Sequence, residues 1–190
     1  MKSRPQLALL ALLALLARPA SGQDAIRVHP VGDPRPGREA PDFTLPVARA
    51  EEVGTTVQPF LLRAELGRVV VLAFCPEATD SATVTLLRTL GGRQDSLFAG
   101  EVVVVGILRE PAALLLETAR ANALPYKLLS DSTERVRRAY GVERREVGVY
   151  VVGPAGRVEW RERRFNPFLA TSYERLREAV QRAWGTQPTR

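Results

Sequence analysis

Arg68-Val-Val-Val-Leu-Ala-Phe-Cys-Pro-Glu-Ala-Thr79 decides how this 190-residue chain folds. The apolar run from Val69 to Cys75 has strand length, no polar alternation and many β-branched residues, as expected of a central strand covered on both faces. Pro76 closes the run. Thr79, Asp80 and Ser81 then offer N-cap side chains for a helix reaching toward Leu90, where Gly91-Gly92 interrupts it. Cys75, the one cysteine of the chain, stands where strand hands over to helix, at the end of an α/β sheet where ligands usually bind.

The same grammar repeats on either side. Ala40-Pro-Asp-Phe-Thr-Leu-Pro46 reads as a short extended segment beside which Val57 to Leu62 can pair. Glu101 to Ile107 is a second buried strand, and Pro111 opens a helix where its missing N–H costs nothing. Tyr126 to Leu129 is a short strand, followed by Asp131 and Glu134 in capping-box spacing for a helix ending at Tyr140-Gly141. Val147–Val152 and Arg157–Arg161 flank Gly153-Pro-Ala-Gly156 as a hairpin, and Thr171 with Glu174 should cap a last amphipathic helix through Trp184. Strand, helix, strand, helix, then hairpin and helix is thioredoxin-like order, a single α/β domain with a central mixed β-sheet flanked by helices; the alternation alone fixes only the α/β class, so a general doubly wound sheet is the alternative.

Several short motifs in order narrow this further. Gly37-Arg-Glu-Ala-Pro-Asp-Phe-Thr-Leu45, Phe74 with Pro76 and Thr79, Gly100-Glu-Val-Val-Val-Val-Gly-Ile107, Leu128-Leu-Ser-Asp131, Ala139-Tyr-Gly-Val142 and Tyr150-Val-Val-Gly-Pro-Ala-Gly156 together resemble the peroxiredoxins, the alkyl hydroperoxide reductase/thiol-specific antioxidant family. The resemblance spans nearly all of residues 37 to 160. It implies a thioredoxin-like domain and thiol-dependent reduction of peroxides. The family loop reads Pro-x-x-x-Thr-x-x-Cys, with a peroxide-attacking cysteine in the first helical turn. Here the Pro-to-Thr spacing is one residue short, so alignment on Thr79 puts that position at Ala82 and alignment on Pro76 puts it at Thr83. Neither side chain can be oxidised by a peroxide.

The chemistry explains why this matters. Only a thiolate attacks the O–O bond, and a free thiol of pKa near 8.5 needs a helix N-terminus and nearby cations to ionise at neutral pH. The resemblance implies that a loop threonine, Thr79, orients sulfur and peroxide. It also implies that an arginine just before the sixth strand stabilises the thiolate. Val147 stands in that arginine's place, and Arg144 and Arg145 lie close upstream as candidates for a displaced cation. Cys75 and Thr79 are therefore the candidate catalytic residues, within a frame of Phe74, Pro76, Ala82, Thr83 and Val147. Each has a plainer reading as well. A free cysteine ending a strand is commonly a small buried hydrophobe, and Thr79 would serve as an N-cap whether or not a peroxide arrives.

The remaining features bound the function. Lys2 and Arg4 precede an apolar run from Leu7 to Ala17, with Ala20-Ser-Gly22 as a cleavage signature, so residues 1–22 read as a secretory signal peptide. Residues 23–38 form a Pro/Gly-rich leader, 39–185 the thioredoxin-like domain and 186–190 a tail. The expected location is the periplasm or the exterior, with no membrane insertion once the signal is removed. Lys2, Arg4 and Arg18 leave with that segment, which holds no acid, so the charge falls from +6 to +3. Basic and acidic residues are interleaved, which argues against nucleic acid as a partner.

One cysteine cannot close an internal disulfide, so any bridge must join Cys75 to a small thiol or to a second chain in a homodimer. One histidine, His29, in the leader rules out a His-rich metal site, and no motif calls for a cofactor. Trp160, Phe165 and Phe168 are expected to pack in the core and hairpin. Two functions remain. The first is an exported thiol oxidoreductase acting on peroxides, weak or lost for want of its cysteine and arginine. The second is a redox-inactive module that binds an exported protein or small ligand.

Overall fold

The computed structural model of the protein describes residues 34–48, 58–98 and 102–185. The signal segment, most of the leader, Val57 and the tail lie outside the described residues.

Val69–Phe74, strand β3, is the centre of the molecule, and all six of its residues are buried. It lies in a five-stranded sheet of order β5-β4-β3-β6-β7, where β4 is Val102–Leu108, β5 Lys127–Ser130, β6 Gly148–Val152 and β7 Val158–Glu162. β3, β4 and β5 run parallel, while β6 lies antiparallel to β3, with Leu72 opposite Tyr150, and β7 folds back on β6. This is the expected thioredoxin-like mixed sheet. Gly156, at φ +74 in the hairpin turn, takes a conformation that a residue with a Cβ rarely adopts. The first segment pairs as foreseen, with β1 (Thr44–Leu45) antiparallel to β2 (Phe60–Leu61) in a small separate sheet.

Because side chains alternate along a strand, β3 feeds two cores. Val69, Val71, Ala73 and Cys75 face one cluster with Leu86, Leu87 and Leu90 of helix α1 (Ser81–Gly92) and Leu176, Ala179 and Val180 of the C-terminal helix. Val70, Leu72 and Phe74 face the other, with Phe43, Phe60, Tyr140, Tyr150 and Val136. A short helix α2 (Gln94–Leu97) and helix α3 (Ala112–Ala121) lie between β3 and β5 in sequence, α4 (Arg135–Ala139) precedes β6, and α5 (Ala170–Gly185) follows β7. Among the described residues no helix is long and apolar enough to cross a membrane.

Three local expectations are corrected. Asp131 and Glu134 do not form a capping box. Glu134 is itself the N-cap of α4, in the left-handed region at φ 54, while the Asp131 carboxylate accepts the Arg137 N–H at 2.8 Å. Helix α5 starts at Ala170, so Thr171 lies inside its first turn. Phe165 packs edge-on against Tyr173, but Phe168 is 64% exposed because it follows the Asn166-Pro167 turn, whose Asn166 side chain holds the Phe168 N–H.

Candidate active site

The Cys75 backbone extends β3 by one residue, its N–H donating to the Ile107 carbonyl at 2.9 Å. Its side chain therefore points into the cluster beneath α1 and is 0% exposed. The sulfur makes a long 3.8 Å approach to the Ala73 carbonyl. Burial pushes the thiol up to about 12. The Arg137 guanidinium and, less strongly, the Thr83 hydroxyl favour the thiolate, while Asp80 and Glu110 oppose it. Removal from water outweighs every helpful neighbour, so this sulfur is a neutral thiol at physiological pH.

Helix α1 brings the second group. Asp80 is its N-cap, and its carboxylate accepts the Thr83 N–H at 3.0 Å, as the Ser/Asp rule for helix starts requires. Thr83, Leu86, Leu87 and Leu90 are buried and fall at i, i+3, i+4 and i+7, a single apolar stripe that turns Thr83 inward. Thr83 is 0% exposed, and its Oγ1, which meets no backbone or carboxylate acceptor among the described residues, acts on the Cys75 sulfur. Ala82 sits one position off that stripe and is partly buried against the same core.

The third group comes from the opposite layer. Arg137 of α4 is only 5% exposed. Its Nη1 donates to the Glu143 carbonyl at 2.7 Å and the Glu146 carbonyl at 3.0 Å, which pins the guanidinium under the loop leading into β6. Its Nη2 is buried and has no hydrogen-bond partner among the described residues. Burial lowers the Arg137 pKa and raises that of Asp131, whose carboxylate accepts backbone N–H groups from the same helix. Thr83 thus acts on Cys75 through its hydroxyl and Arg137 through its charge, from different layers of the fold.

The surrounding loop is fixed by ordinary polar contacts. Glu110 accepts the Ala78 N–H at 2.7 Å, and Arg109 pairs with Glu77, so the Pro76–Asp80 turn is tied to the end of β4. Gly148 begins β6 beside this loop because a Cβ there would sit 2.6 Å from Val142 Cγ2. A cleft of about 360 Å³ lies elsewhere, bordered by Asp42, Leu62, Glu65, Val70 and Gly156, and carries no nucleophile. Among the described residues no group of three or more His, Cys, Asp and Glu is arranged to hold a metal ion.

The AhpC/TSA family signature matches residues 36–161. The chain belongs to the AhpC/TSA family. Among solved structures it is similar to the bacterioferritin comigratory protein of Xanthomonas campestris (15% identity, TM-score 0.60, covering 73% of this chain and 90% of that one). Peroxidoxin BcpB of Mycobacterium tuberculosis is also similar (20% identity, TM-score 0.62, covering 81% and 99%), as is the reduced 2-Cys peroxiredoxin of Plasmodium vivax (19% identity, TM-score 0.64, covering 79% and 98%). At these identities the likeness establishes the thioredoxin-like fold alone. A sequence search of curated proteins finds no match.

Within the AhpC/TSA frame the predicted site residues separate into two groups. Phe74, Cys75, Pro76, Thr83 and Val147 are all buried, Cys75, Thr83 and Val147 in the cluster beneath α1 or at its end and Phe74 on the sheet's other face. Thr79 is exposed in the turn, and Asp80 takes the capping role expected of it. Arg144 and Arg145 are exposed, and Arg144 is engaged with Glu134 at 3.1 Å. The cation that reaches the sulfur is Arg137, which sequence reasoning passed over. Its signal was faint. Arg137 lies three residues before Tyr140, on the edge of the Val136/Ala139/Tyr140 face, among neighbours Arg135 and Arg138 that look the same in sequence.

Proposed function

We propose that this protein is an exported member of the AhpC/TSA family in which peroxide reduction is weak or lost. The observation that carries the reading is the state of its sole sulfur: Cys75 is fully buried and its thiol is pushed up to about 12. At pH 7 a thiol of that pKa is ionised in roughly one molecule in 10⁵. Peroxide reduction needs the sulfur to form an S–O bond while the O–O bond breaks and an alcohol or water leaves, yielding a sulfenic acid. Thr83, at the inward position of the helix's first turn, has no electron pair of comparable nucleophilicity to offer. The Thr83 position is the one reached by alignment on Pro76, and its burial favours that alignment over Ala82.

Stopped-flow mixing of the mature chain with hydrogen peroxide and with an organic peroxide, beside Cys75→Ser, tests this. We expect consumption indistinguishable from Cys75→Ser and orders of magnitude slower than for a peroxiredoxin with its cysteine in place. Rapid stoichiometric consumption that depends on Cys75 would overturn the reading.

Export rests on Lys2, Arg4, the Leu7–Ala17 run and Ala20-Ser-Gly22. The mature protein recovered outside the cytoplasm should begin at Gln23, and an intact Met1 terminus in the membrane fraction would refute cleavage.

A further inference from the structure

The Pro76–Asp80 turn leaves β3 directly after Cys75 and brings the chain back onto the same core. Pro76 is buried, and Ala78 packs against the cluster that holds the sulfur. The turn is a unit of its own, because the Asp80 N–H donates to the Glu77 carbonyl at 3.1 Å. Its two ends are fixed, the Cys75 N–H by the Ile107 carbonyl and Asp80 by its capping of α1. Between them, two polar contacts join the turn to the end of β4. The Glu110 carboxylate accepts the Ala78 N–H at 2.7 Å, and Arg109 pairs with Glu77. Glu110 stands on the rigid side of this junction, since its carbonyl accepts the Ser130 hydroxyl at 2.7 Å and Ser130 ends β5.

We propose that Glu110 is the latch of this turn, with the Arg109–Glu77 pair as a weaker second hold, and that its release lifts Ala78 off the cluster and admits small electrophiles to Cys75. The inference rests on the reading of Cys75 as a buried thiol and concerns access to the sulfur rather than its reaction with peroxide. Physical strength ranks the two holds. A hydrogen bond to a carboxylate outweighs an ion pair whose side chains are 34% and 51% exposed. The closed turn is also imperfectly satisfied. Glu110 Oε2 is buried without a hydrogen-bond partner among the described residues, and Thr83 Oγ1 meets no backbone or carboxylate acceptor there. Bare polar atoms cost free energy in the closed form and meet water in the open one, so the turn can open while the sheet stays folded. Glu110 also opposes negative charge on the sulfur, so one carboxylate keeps the thiol both covered and neutral.

Alkylation of Cys75 in the native chain by iodoacetamide, followed by mass, reads how often the turn is open. Opening the turn exposes little surface, so the parent's labelling rate should stay nearly flat at low urea and steepen only where the whole fold begins to unfold. Glu110→Ala should raise the rate without urea by roughly tenfold to a hundredfold, the scale of a lost hydrogen bond to a charged group. Glu110→Gln keeps an oxygen for the Ala78 N–H and should restore most of the protection. Arg109→Gln should raise the rate by no more than about fivefold, the scale of an exposed ion pair. Urea unfolding of each variant gives the labelling expected from global unfolding alone, which the Glu110→Ala rate should exceed. A parent rate that follows global unfolding at every urea concentration would overturn the proposal, even if no variant folds. So would a Glu110→Ala rate equal to that of the parent, or a Glu110→Gln rate as high as that of Glu110→Ala. Peroxide consumption is a separate readout, which decides the reading of lost activity and leaves these labelling rates untouched.

Discussion

The two faces of β3 differ in the hydroxyls that they bury. On the face that carries Phe74, the aromatic rings of Phe43, Phe74, Tyr140 and Tyr150 pack within 5.0 to 6.2 Å of one another, and each phenol finds an acceptor. Tyr140 donates to the Pro41 carbonyl at 2.9 Å, and Tyr150 donates to the Tyr140 carbonyl. On the face that carries Cys75, Tyr126 and Tyr173 likewise donate to the Leu87 and Pro167 carbonyls, at 2.6 and 3.0 Å, whereas Thr83 Oγ1 meets no backbone or carboxylate acceptor among the described residues. Buried hydroxyls in folded proteins are satisfied with few exceptions, so Thr83 is where the Cys75 face departs from the other. The same strand therefore carries an aromatic core with bonded phenols on one side and, on the other, a core beneath α1 that holds a buried thiol and a buried threonine.

The comparison is broken most severely by restoring the missing charge. Thr83→Cys places a thiol in the first turn of α1, beside the sulfur on which the Arg137 charge acts, so that the helix N-terminus and that charge both favour the thiolate. Its pKa should fall below the ordinary thiol value and several units below that of Cys75, with peroxide reactivity rising by orders of magnitude. Ala82→Cys, one position off the inward stripe, should shift less. Thiol titration by ultraviolet absorbance, with Cys75→Ser as background, reads both. Two engineered thiols of equal pKa, neither depressed, would mean that the pocket is not electropositive and that the contrast between the faces is only one of packing.

Truncation on the satisfied face comes next. Tyr140→Ala removes a wholly buried ring that touches Phe43, Phe74 and Tyr150 and leaves the Pro41 carbonyl without its donor. A loss of roughly 3–5 kcal/mol is expected from denaturant unfolding, the range for large-to-small changes at buried aromatics. A loss under about 1 kcal/mol would show that this face is not the structural core.

How much of this was legible in sequence depends on which force set each feature. The strands and their order could be read, because continuous apolar runs such as Val69–Phe74 and Val102–Leu108 have one economical burial. The inward turn of Thr83 was also legible in retrospect. It shares the i, i+3, i+4, i+7 stripe with Leu86, Leu87 and Leu90, a stronger guide than the spacing from Thr79. The Asp131/Glu134 pattern misled because Asp131 caps from outside a short helix whose N-cap adopts φ 54, a tertiary choice that local spacing does not encode. Arg137 was hidden for a different reason. What distinguishes it from Arg135, Arg138, Arg144 and Arg145 is the pair of carbonyls at Glu143 and Glu146, which only the folded loop brings together.

Alkaline titration sharpens the contrast through Cys75 itself. Its folded pKa of about 12 lies above the value of 9.0 expected for an unperturbed thiol. Below pH 9 both states hold the proton and the contribution to stability is whole. As the pH rises from 9 toward 12 the unfolded chain releases it while the folded chain does not, so stability declines. Three units at 1.36 kcal/mol each set an upper bound of about 4 kcal/mol. Between pH 9 and 10 the parent should therefore lose stability faster than Cys75→Ala, by up to about 1.4 kcal/mol per unit. Tyr126 and Tyr140, whose phenols are also raised by burial, add their own decline at higher pH in both proteins. Parallel slopes for parent and Cys75→Ala in that window would mean that the thiol is accessible and ionises in the folded state.

The smallest expected effect is the most diagnostic. Thr83→Val exchanges a buried hydroxyl, beside the weakly accepting Cys75 sulfur and without a backbone or carboxylate acceptor among the described residues, for a methyl group of nearly the same size, within a stripe of leucines. Hydroxyl burial without a hydrogen bond is unfavourable, and removing it from an apolar setting gains transfer energy. The variant should therefore match the parent or exceed it by up to roughly 1 kcal/mol, whereas Tyr150→Phe, which deletes a hydroxyl bonded to the Tyr140 carbonyl, should cost about 1–3 kcal/mol. Both changes delete one oxygen from a buried site, so their difference isolates partnership from volume. Equal costs for the two, measured by urea unfolding at pH 7, would mean that Thr83 is as fully engaged as the tyrosines and that the end of β3 near Cys75 is ordinary core.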